Sequence, residues 1–293
     1  MSTEMTRAAV RYFSENFDMS NEAKPVHPAK PDAGVYRAPR SYADYEGDRQ
    51  FATTLARGME LLRSFSPASP VLGNKELAEA LDLPRATVSR LAYTLQAMGY
   101  LAQDQDSGKY RLGAAVLSLG YPLLEAFKLR QRARAGMWEL AQQLRGAVAI
   151  AIRERLDMIY IEVARGGERG GHTSDIGRTY PIAGTAVGRA HVAACGAQER
   201  QYLLSRIQVK TPADWKRHKE RLLEAEAEYS RWGCCTSVGD MYPDVQAVAV
   251  PLGPMDRGYP AVINVSFQRR KLDQRWLRED VGPKLVALAR SLA

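Results

Sequence analysis

Residues 74–112, NKELAEALDLPRATVSRLAYTLQAMGYLAQDQDSGKYRL, decide the reading of this chain. The stretch opens with a short helix from Gly73 or Asn74 to Leu81, burying Leu77, Ala78 and Leu81. With Gly73 as N-cap, Glu76 stands at the third helical position and can reach back to the free backbone N–H. Asp82-Leu83 breaks the helix and Pro84 opens the next, where its missing N–H costs nothing. That helix is predicted to run to about Met98 and to stop at Gly99. Tyr100–Gln103 and Lys109–Leu112 then read as short strands, with Asp106-Ser107-Gly108 as the turn between them. Upstream, Leu55, Met59, Leu62 and Phe65 recur at helical spacing and predict a further helix ending near Ser66-Pro67.

Three helices, a tight turn between the second and third, and a hairpin make a winged helix-turn-helix, placed at residues 49–113. On the wheel of residues 84–98, Val88, Leu91, Ala92, Leu95 and Met98 share one arc, which faces the other helices. The opposite arc holds Ala86, Ser89, Arg90, Tyr93 and Thr94, with Arg85 and Thr87 on its flanks. A helix entering the major groove needs small residues for close approach and forked donors that match guanine. Arg90 is the candidate for a base contact and Ala86 for a thymine methyl. Thr87, Ser89 and Tyr93 are candidates for phosphates or base edges, and the helix N-terminus itself favours a phosphate. Lys109 and Arg111 alternate with Tyr110 and Leu112 on the second wing strand, so one face packs and the other presents charge. Asn74 and Lys75 are further candidates.

Charge does not by itself mark this segment. The 293-residue chain carries a net +8, but residues 49–113 hold eight basic and six acidic residues, a balance of only +2. Residues 1–48 hold six basic and eight acidic, and residues 161–293 hold 20 and 15. Binding to a polyanion therefore has to come from placed residues rather than a generally basic domain. Residues 1–48, with prolines at 25, 28, 31 and 39, read as a mobile arm with at most a transient helix over Val10–Phe17.

Beyond the hairpin, residues 114–145 read as linking helices, with Pro122 expected to kink or break the first part. From residue 146 strands and helices alternate. Ala147–Ile152 and Met158–Val163 pair across a polar loop, and helices are predicted at 185–194, 198–207 and 212–231. Strands follow at 234–238, 246–251 and 260–267, the last two joined by the turn-rich Gly253–Gly258, with a final helix over 273–291. Strand pairs joined by hairpins, with helices between them, predict an antiparallel sheet in an α+β domain spanning 146–293.

The segments LARGMELLRSF, NKELAEALDLPRATVSRLAYTLQAMGYLAQD and GKYRLG resemble the N-terminal domain of IclR-type transcriptional regulators. GRTYPIAGTAVGRAHVAA resembles that family's segment leading into the helix beside the ligand pocket. RWGCCTSVGDMYPDVQAVAVPL resembles its pocket loop and the strand after it, with Gly239-Asp240 where the family usually carries glycine-glutamate. The likeness covers roughly residues 50–292. It implies a homodimer or dimer of dimers held partly through the DNA-binding domains and a linker helix. It also implies a GAF-like effector domain with a curved antiparallel sheet, sensing small organic or aromatic acids, and a double-stranded DNA operator as the other partner. By position it puts Ser237, Asp240 and Ala247 around the effector cavity, with Thr173 and Ile182 as wall residues.

The residues add a physical reason for an acid. Gly184-Thr185-Ala186 begins a helix directly after a strand, and free backbone N–H groups there bind a carboxylate, helped by the helix dipole. Thr185 adds a hydroxyl. The adjacent Cys234 and Cys235 read as buried thiols, with redox sensing as the alternative. Neither they nor His172 and His191 have metal-ligand spacing, and no cofactor is implied. Three cysteines do not make a disulfide framework, and MSTEMTRAAV lacks an apolar signal core, so a reducing cytoplasm is expected. The chain carries no nucleophile elbow, phosphate-binding glycine loop or membrane-length apolar run, which argues against an enzyme and a membrane protein.

Overall fold

The computed structural model describes Tyr45 and residues 48–166, 175–254, 260–268 and 273–292. The predicted arm therefore lies almost wholly outside the described residues, as do most of the expected turn after Gly253 and His172 and Thr173.

The N-terminal unit comprises α1 (Thr53–Arg63), α2 (Asn74–Leu81), α3 (Arg85–Ala97), β1 (Leu101–Gln103) and β2 (Tyr110–Leu112). Its local signals act as the residues dictate. Gly73 precedes α2 and its N–H is bonded by the Glu76 carboxylate. Asp82 takes a left-handed conformation (φ 52°) and turns the chain, and Gly99 (φ 77°) ends the run after α3. β1 and β2 pair antiparallel, Leu101 with Leu112 and Gln103 with Tyr110. The Asp104 carboxylate holds the turn by accepting from the Ser107 N–H and hydroxyl, each at 2.8 Å. Leu72 joins the wing through two backbone bonds to Tyr110.

Leu61, Leu62, Leu77, Ala78, Val88, Ala92, Leu101 and Tyr110 form the small core of this unit. Four apolar side chains depart from the expected faces. Met98 caps α3 rather than lying within it and is 61% exposed, so it does not complete the buried arc. Leu112 is 41% exposed, so the inner face of the second wing strand is carried by Tyr110 alone. On α1 the stripe is split, with Gly58, Leu61 and Leu62 facing inward and Leu55 and Met59 facing solvent.

α4 (Ala115–Ala126) and α5 (Lys128–Leu144) follow. The helix continues past Pro122 without a break, and the break falls at Phe127, where ψ is 87°. The carbonyl that Pro122 leaves unpaired sits on a helix that buries none of its residues, where exposure to solvent lowers the cost of the missing bond. Past the break, Arg130 Nη1 donates to the Leu124 carbonyl at 2.8 Å while its Nε pairs with Glu162 at 3.0 Å. A buried cation thus caps the end of α4 and ties it to the sheet. The positions Leu129, Ala133, Met137, Leu140, Ala141 and Leu144 fall on one face of α5, and this face is buried on the sheet.

The sheet contains β3 (Ala147–Glu154), β4 (Asp157–Arg165), β5 (Thr179–Pro181), β6 (Cys235–Val238), β7 (Val245–Pro254) and β8 (Pro260–Gln268). All pairs are antiparallel, in the order β5-β4-β3-β8-β7-β6. The protein is α+β, as the hairpin spacing predicts. β5 is the strand expected just ahead of Gly184, and it is only three residues long. Strand alternation divides the interior in two. Val148, Ile150 and Ile152 face α5 and the C-terminal helix, while Ala149 and Ala151 face the helices on the other side. Each fully buried aliphatic side chain contributes about 1.5–3 kcal/mol.

On that second side lie α6 (Ala186–Ala194), α7 (Ala197–Lys210), α8 (Pro212–Leu223) and α9 (Ala225–Trp232). The expected single helix over 212–231 is two, divided at Glu224. The expected C-terminal helix is interrupted too: a turn at Gln274–Trp276 and a π-helical turn at Leu277–Val281 precede α10 (Gly282–Leu292). The π-turn places both Leu277 and Val281 in the core.

Candidate DNA-reading face and effector site

α3 presents Arg85, Ala86, Ser89, Arg90, Tyr93 and Thr94 to solvent, and Thr87 is half-buried. Tyr93 is 75% exposed. No side chain caps the start of the helix, and Pro84 accepts from Thr87 and Val88, which leaves the Arg85 and Ala86 N–H groups pointing outward. The flanking candidates are partly engaged. The Asn74 amide bonds the Ser89 hydroxyl and so locks α2 to α3. Lys75 lies 3.8 Å from Glu79. The Lys109 ammonium is 3.1 Å from Glu76, whose carboxyl is held below its usual range by the Gly73 N–H and by Lys109. Arg111 is exposed. Arg85 and Arg90 on the helix and Arg111 on the wing are thus all exposed.

The second site is built where β5 enters α6. Thr185 N-caps α6: its hydroxyl accepts from the Gly188 N–H at 3.1 Å and donates to the Pro181 carbonyl at 2.8 Å. That hydroxyl is therefore spent on the fold, while the N–H groups of Ala186 and Val187 remain those of an open helix N-terminus. Gly188 permits the geometry, since a Cβ there would lie 2.2 Å from the Ile182 carbonyl oxygen. Ile182, Gly184 and Ala186 are buried. A Cβ on Gly184 would come within 3.1 Å of His218 Nε2, so the imidazole from α8 lies directly over the turn. Burial and the nearby Arg189 push the His218 pKa down, which keeps a neutral ring able to donate and accept.

Ser237 and Ala247 are both buried and face each other across β6 and β7. Asp240 pairs with Arg189 at 2.8 Å. Arg189 is fully buried, and its Nη1 also donates to the Thr236 carbonyl at 2.5 Å. Burial raises the Asp240 pKa, but the Arg189 guanidinium outweighs it and holds the carboxyl below its ordinary value. The structure thus brings Ile182, Gly184, Thr185, Ala186, Ser237, Asp240 and Ala247 around one side of the sheet.

Sequence reasoning passed over four residues here. Arg189 and His218 were two. The signal for Arg189 was present: the one arginine in AVGRAHVAA, a helix whose other residues, His191 apart, are small or apolar. Tyr160 and Asn264 were the others. Asn264 Nδ2 donates to the Tyr160 hydroxyl at 3.0 Å, and its Oδ1, in a side chain 1% exposed, has no partner. Asn264 sits between Ala149 and Ala249 in the sheet, on the face that α6 covers. Tyr160 packs on Tyr180 with ring centroids 4.8 Å apart. A buried carbonyl without a donor costs about 1–3 kcal/mol, so it marks a place where a ligand group or water belongs.

Cys234 and Cys235 are fully buried, and burial pushes the Cys234 thiol up to about 11 and Cys235 higher still. Burial therefore disfavours the thiolate form, on which redox sensing depends. Among the described residues no cluster of His, Cys, Asp or Glu is placed to hold a metal ion, and no helix is long and apolar enough to cross a membrane.

Comparison with known proteins gives matches along nearly the whole described chain. The model of the IclR helix-turn-helix domain matches residues 54–105, and that of the bacterial transcriptional regulator IclR C-terminal domain matches residues 122–293. The chain is 32% identical over 241 residues to the HTH-type transcriptional regulator TsaQ1/TsaQ2 of Comamonas testosteroni, covering 82% of this chain and 86% of that one. A crystal structure of an IclR family transcriptional regulator from Brucella abortus superposes with a TM-score of 0.77 at 40% identity, over 84% of this chain and 92% of the other. An IclR homolog from Microbacterium hydrocarbonoxydans, solved in complex with 4-hydroxybenzoate, shares the fold at 20% identity and a TM-score of 0.59, over 81% and 99%. With both domains matched in order along an exposed reading helix and a six-stranded antiparallel sheet, the chain belongs to the IclR family of DNA-binding transcriptional regulators.

Proposed function

We propose that this regulator reads a partly palindromic operator through α3 and the wing, and that a small organic or aromatic acid bound in residues 146–293 controls the reading. Arg90 contacts a base edge, Arg85, Ser89 and Tyr93 flank it, and Ala86 meets a thymine methyl. Arg111, with Lys109, Lys75 and Asn74, grips phosphates, and Thr87 supports the helix start. The acid's carboxylate lies against the N–H groups of the 184–186 turn, under His218. Ile182, Ser237, Ala247 and the Arg189–Asp240 pair form the walls. The single observation that carries this is the unpartnered Asn264 carbonyl on an alanine-lined sheet face that α6 covers: a buried interior with spare polar capacity suits an acid bearing a second polar group. The 4-hydroxybenzoate complex of the same-fold homolog is consistent with it.

A second copy of the chain completes the reader. α4 exposes Leu117, Leu119, Tyr121 and Leu123 and buries nothing, an apolar surface that a monomer rarely leaves to water. A dimer or dimer of dimers in the cytoplasm would present two reading helices to two half-sites.

The test is operator affinity with and without a panel of small acids, 4-hydroxybenzoate and benzoate among them, using a duplex selected by the protein from random sequence. At least one acid is expected to shift the affinity by about 5–150-fold, and His218→Leu to abolish the shift while leaving unliganded operator binding intact. A panel with no effect, or an undiminished effect in His218→Leu, would sink the placement.

A further inference from the structure

The DNA-reading head touches the sensing domain through a ring of four charges. α1 carries Glu60 and Arg63 one turn apart, and the turn between β3 and β4 carries Glu154 and Arg155. Arg155 Nη1 donates to Glu60 Oε2 at 3.1 Å while its Nη2 contacts Glu60 Oε1, so the guanidinium engages the carboxylate with both prongs. Arg63 Nη2 lies 2.7 Å from Glu154 Oε1, and that same oxygen is 3.8 Å from Arg155 Nε. Positive and negative groups alternate around the ring, and the Glu60 and Arg155 side chains keep only 19% and 29% of their exposure.

The sensing side of this contact is built unusually and leads inward. Glu154 pairs with Asp157 to close a two-residue turn, and Arg155 occupies it at φ 55°, a left-handed conformation that glycine or asparagine takes far more easily. An arginine there keeps a local cost, and what it gains is the reach to Glu60. The next residue, Leu156, accepts a backbone bond from Ile182 at 3.0 Å, and Asp157 pairs with Pro181. Ile182 is two residues from Gly184. One hydrogen bond therefore separates the turn that grips the reading head from the turn that opens α6.

We propose that Glu60, Arg63, Glu154 and Arg155 are positioning residues for DNA recognition, forming an ionic clasp that fixes the angle of α3 against the sensing domain. The clasp itself stands on the ion pairs. Its control from the 182–186 turn through Leu156 rests on the effector reading above. Domain pairs joined only by a hinge move relative to each other by default. Here the covalent link passes through the helix break at Phe127, and the clasp is a second point of attachment. A head held at two points presents its recognition helix in one orientation, whereas a head held at the link alone samples many and pays that ordering cost on binding DNA.

The test uses the full chain without any effector, so its outcome does not depend on which acid binds. Spin labels are placed at Ala97→Cys and Glu220→Cys, with Cys195→Ser, and labelled chain is diluted into unlabelled chain. The expected result is one narrow distance distribution, broadened by Glu60→Arg or by Arg155→Glu and narrowed again in the double swap Glu60→Arg/Arg155→Glu. Affinity for the selected operator is expected to fall about tenfold in each single variant and to recover in the double. The neutral variants Glu60→Gln and Arg155→Gln should broaden the distribution in the same way. An unchanged distribution in the single and neutral variants, or a double swap as broad as its parents, overturns the clasp. A clasp that passes this test but does not respond to an acid that shifts operator affinity overturns only its control from the effector turn.

Discussion

Removing Asp240 while keeping Arg189 isolates the electrostatic centre of the sensing domain. Arg189 is fully buried, and Asp240 is its carboxylate partner at 2.8 Å. Breaking a buried ion pair from one side costs about 3–5 kcal/mol, because the remaining charge stays desolvated. Two features reduce that figure. Asp240 is a quarter exposed, and the Thr236 carbonyl still accepts from Arg189. Asp240→Ala should therefore cost about 2–3 kcal/mol. With an urea m-value of about 2 kcal/mol/M, the midpoint falls by about 1–1.5 M. Tryptophan fluorescence is the right probe, because all four tryptophans (Trp138, Trp215, Trp232 and Trp276) lie on the sensing side of Phe127 and the reading head has none. The double variant Asp240→Ala/Arg189→Met should recover most of the loss, since it removes both charges together. The pH dependence has a definite sign. Asp240 has a folded pKa below its ordinary value, so its contribution is complete above about pH 4 and lost as pH falls through the folded value. The Ala variant should lack that acid-side decline. A loss below about 0.5 kcal/mol, or a double variant whose loss is the sum of both singles, would refute the reasoning.

Other outcomes follow from the same geometry. Gly188→Ala drives a Cβ to 2.2 Å from the Ile182 backbone oxygen, so it should destabilise the sensing domain by at least 1–3 kcal/mol, roughly the overpacking range, in the same urea titration. Thr185→Ala removes the α6 cap and should cost about 1 kcal/mol; a neutral result would mean that the hydroxyl serves the ligand rather than the helix. The Cys234 and Cys235 thiols, buried and with raised pKa values, should react with a disulfide reagent at neutral pH only as the domain unfolds; fast stoichiometric labelling of either in the native protein would reopen the redox reading.

The helix-turn-helix was legible because each boundary is set by a residue with a single local effect. Glu76 reaches back, Asp82 turns left-handed, Pro84 starts a helix and Gly99 ends one. The sheet was legible as alternation, although the three-residue β5 is too short to show any. What escaped are features decided by environment. Pro122 breaks nothing because α4 is solvated, and the chain turns instead at Phe127, a residue with no breaker character. Glu224 divides two helices within LLEAEAE, where every residue favours helix. Met98 and Leu112 fit a buried pattern yet lie exposed, since the small core is already filled by Val88, Ala92, Leu101 and Tyr110. For the candidate effector site the residues pointed to the backbone turn at 184–186, and the family resemblance to Ser237, Asp240 and Ala247. The sequence did not point to Tyr160 and Asn264, which come from separate strands and meet only through the tertiary fold, nor to His218, which α8 brings over Gly184. Thr185 was expected as a ligand hydroxyl, and the structure occupies it as a cap.

The central claim is that α3 reads bases while the wing and helix start hold phosphates. It is tested by measuring affinity for the selected operator across a salt series, in wild type and in Arg90→Ala, against duplexes altered one base pair at a time. The account predicts a log–log salt slope of several units in wild type, because each phosphate contact releases counterions. It further predicts that Arg90→Ala costs about 1–3 kcal/mol, keeps nearly the same slope and loses discrimination at one base position per half-site. A slope near zero, or an Arg90→Ala loss spread uniformly over all sequences with the slope reduced by about one, would contradict it.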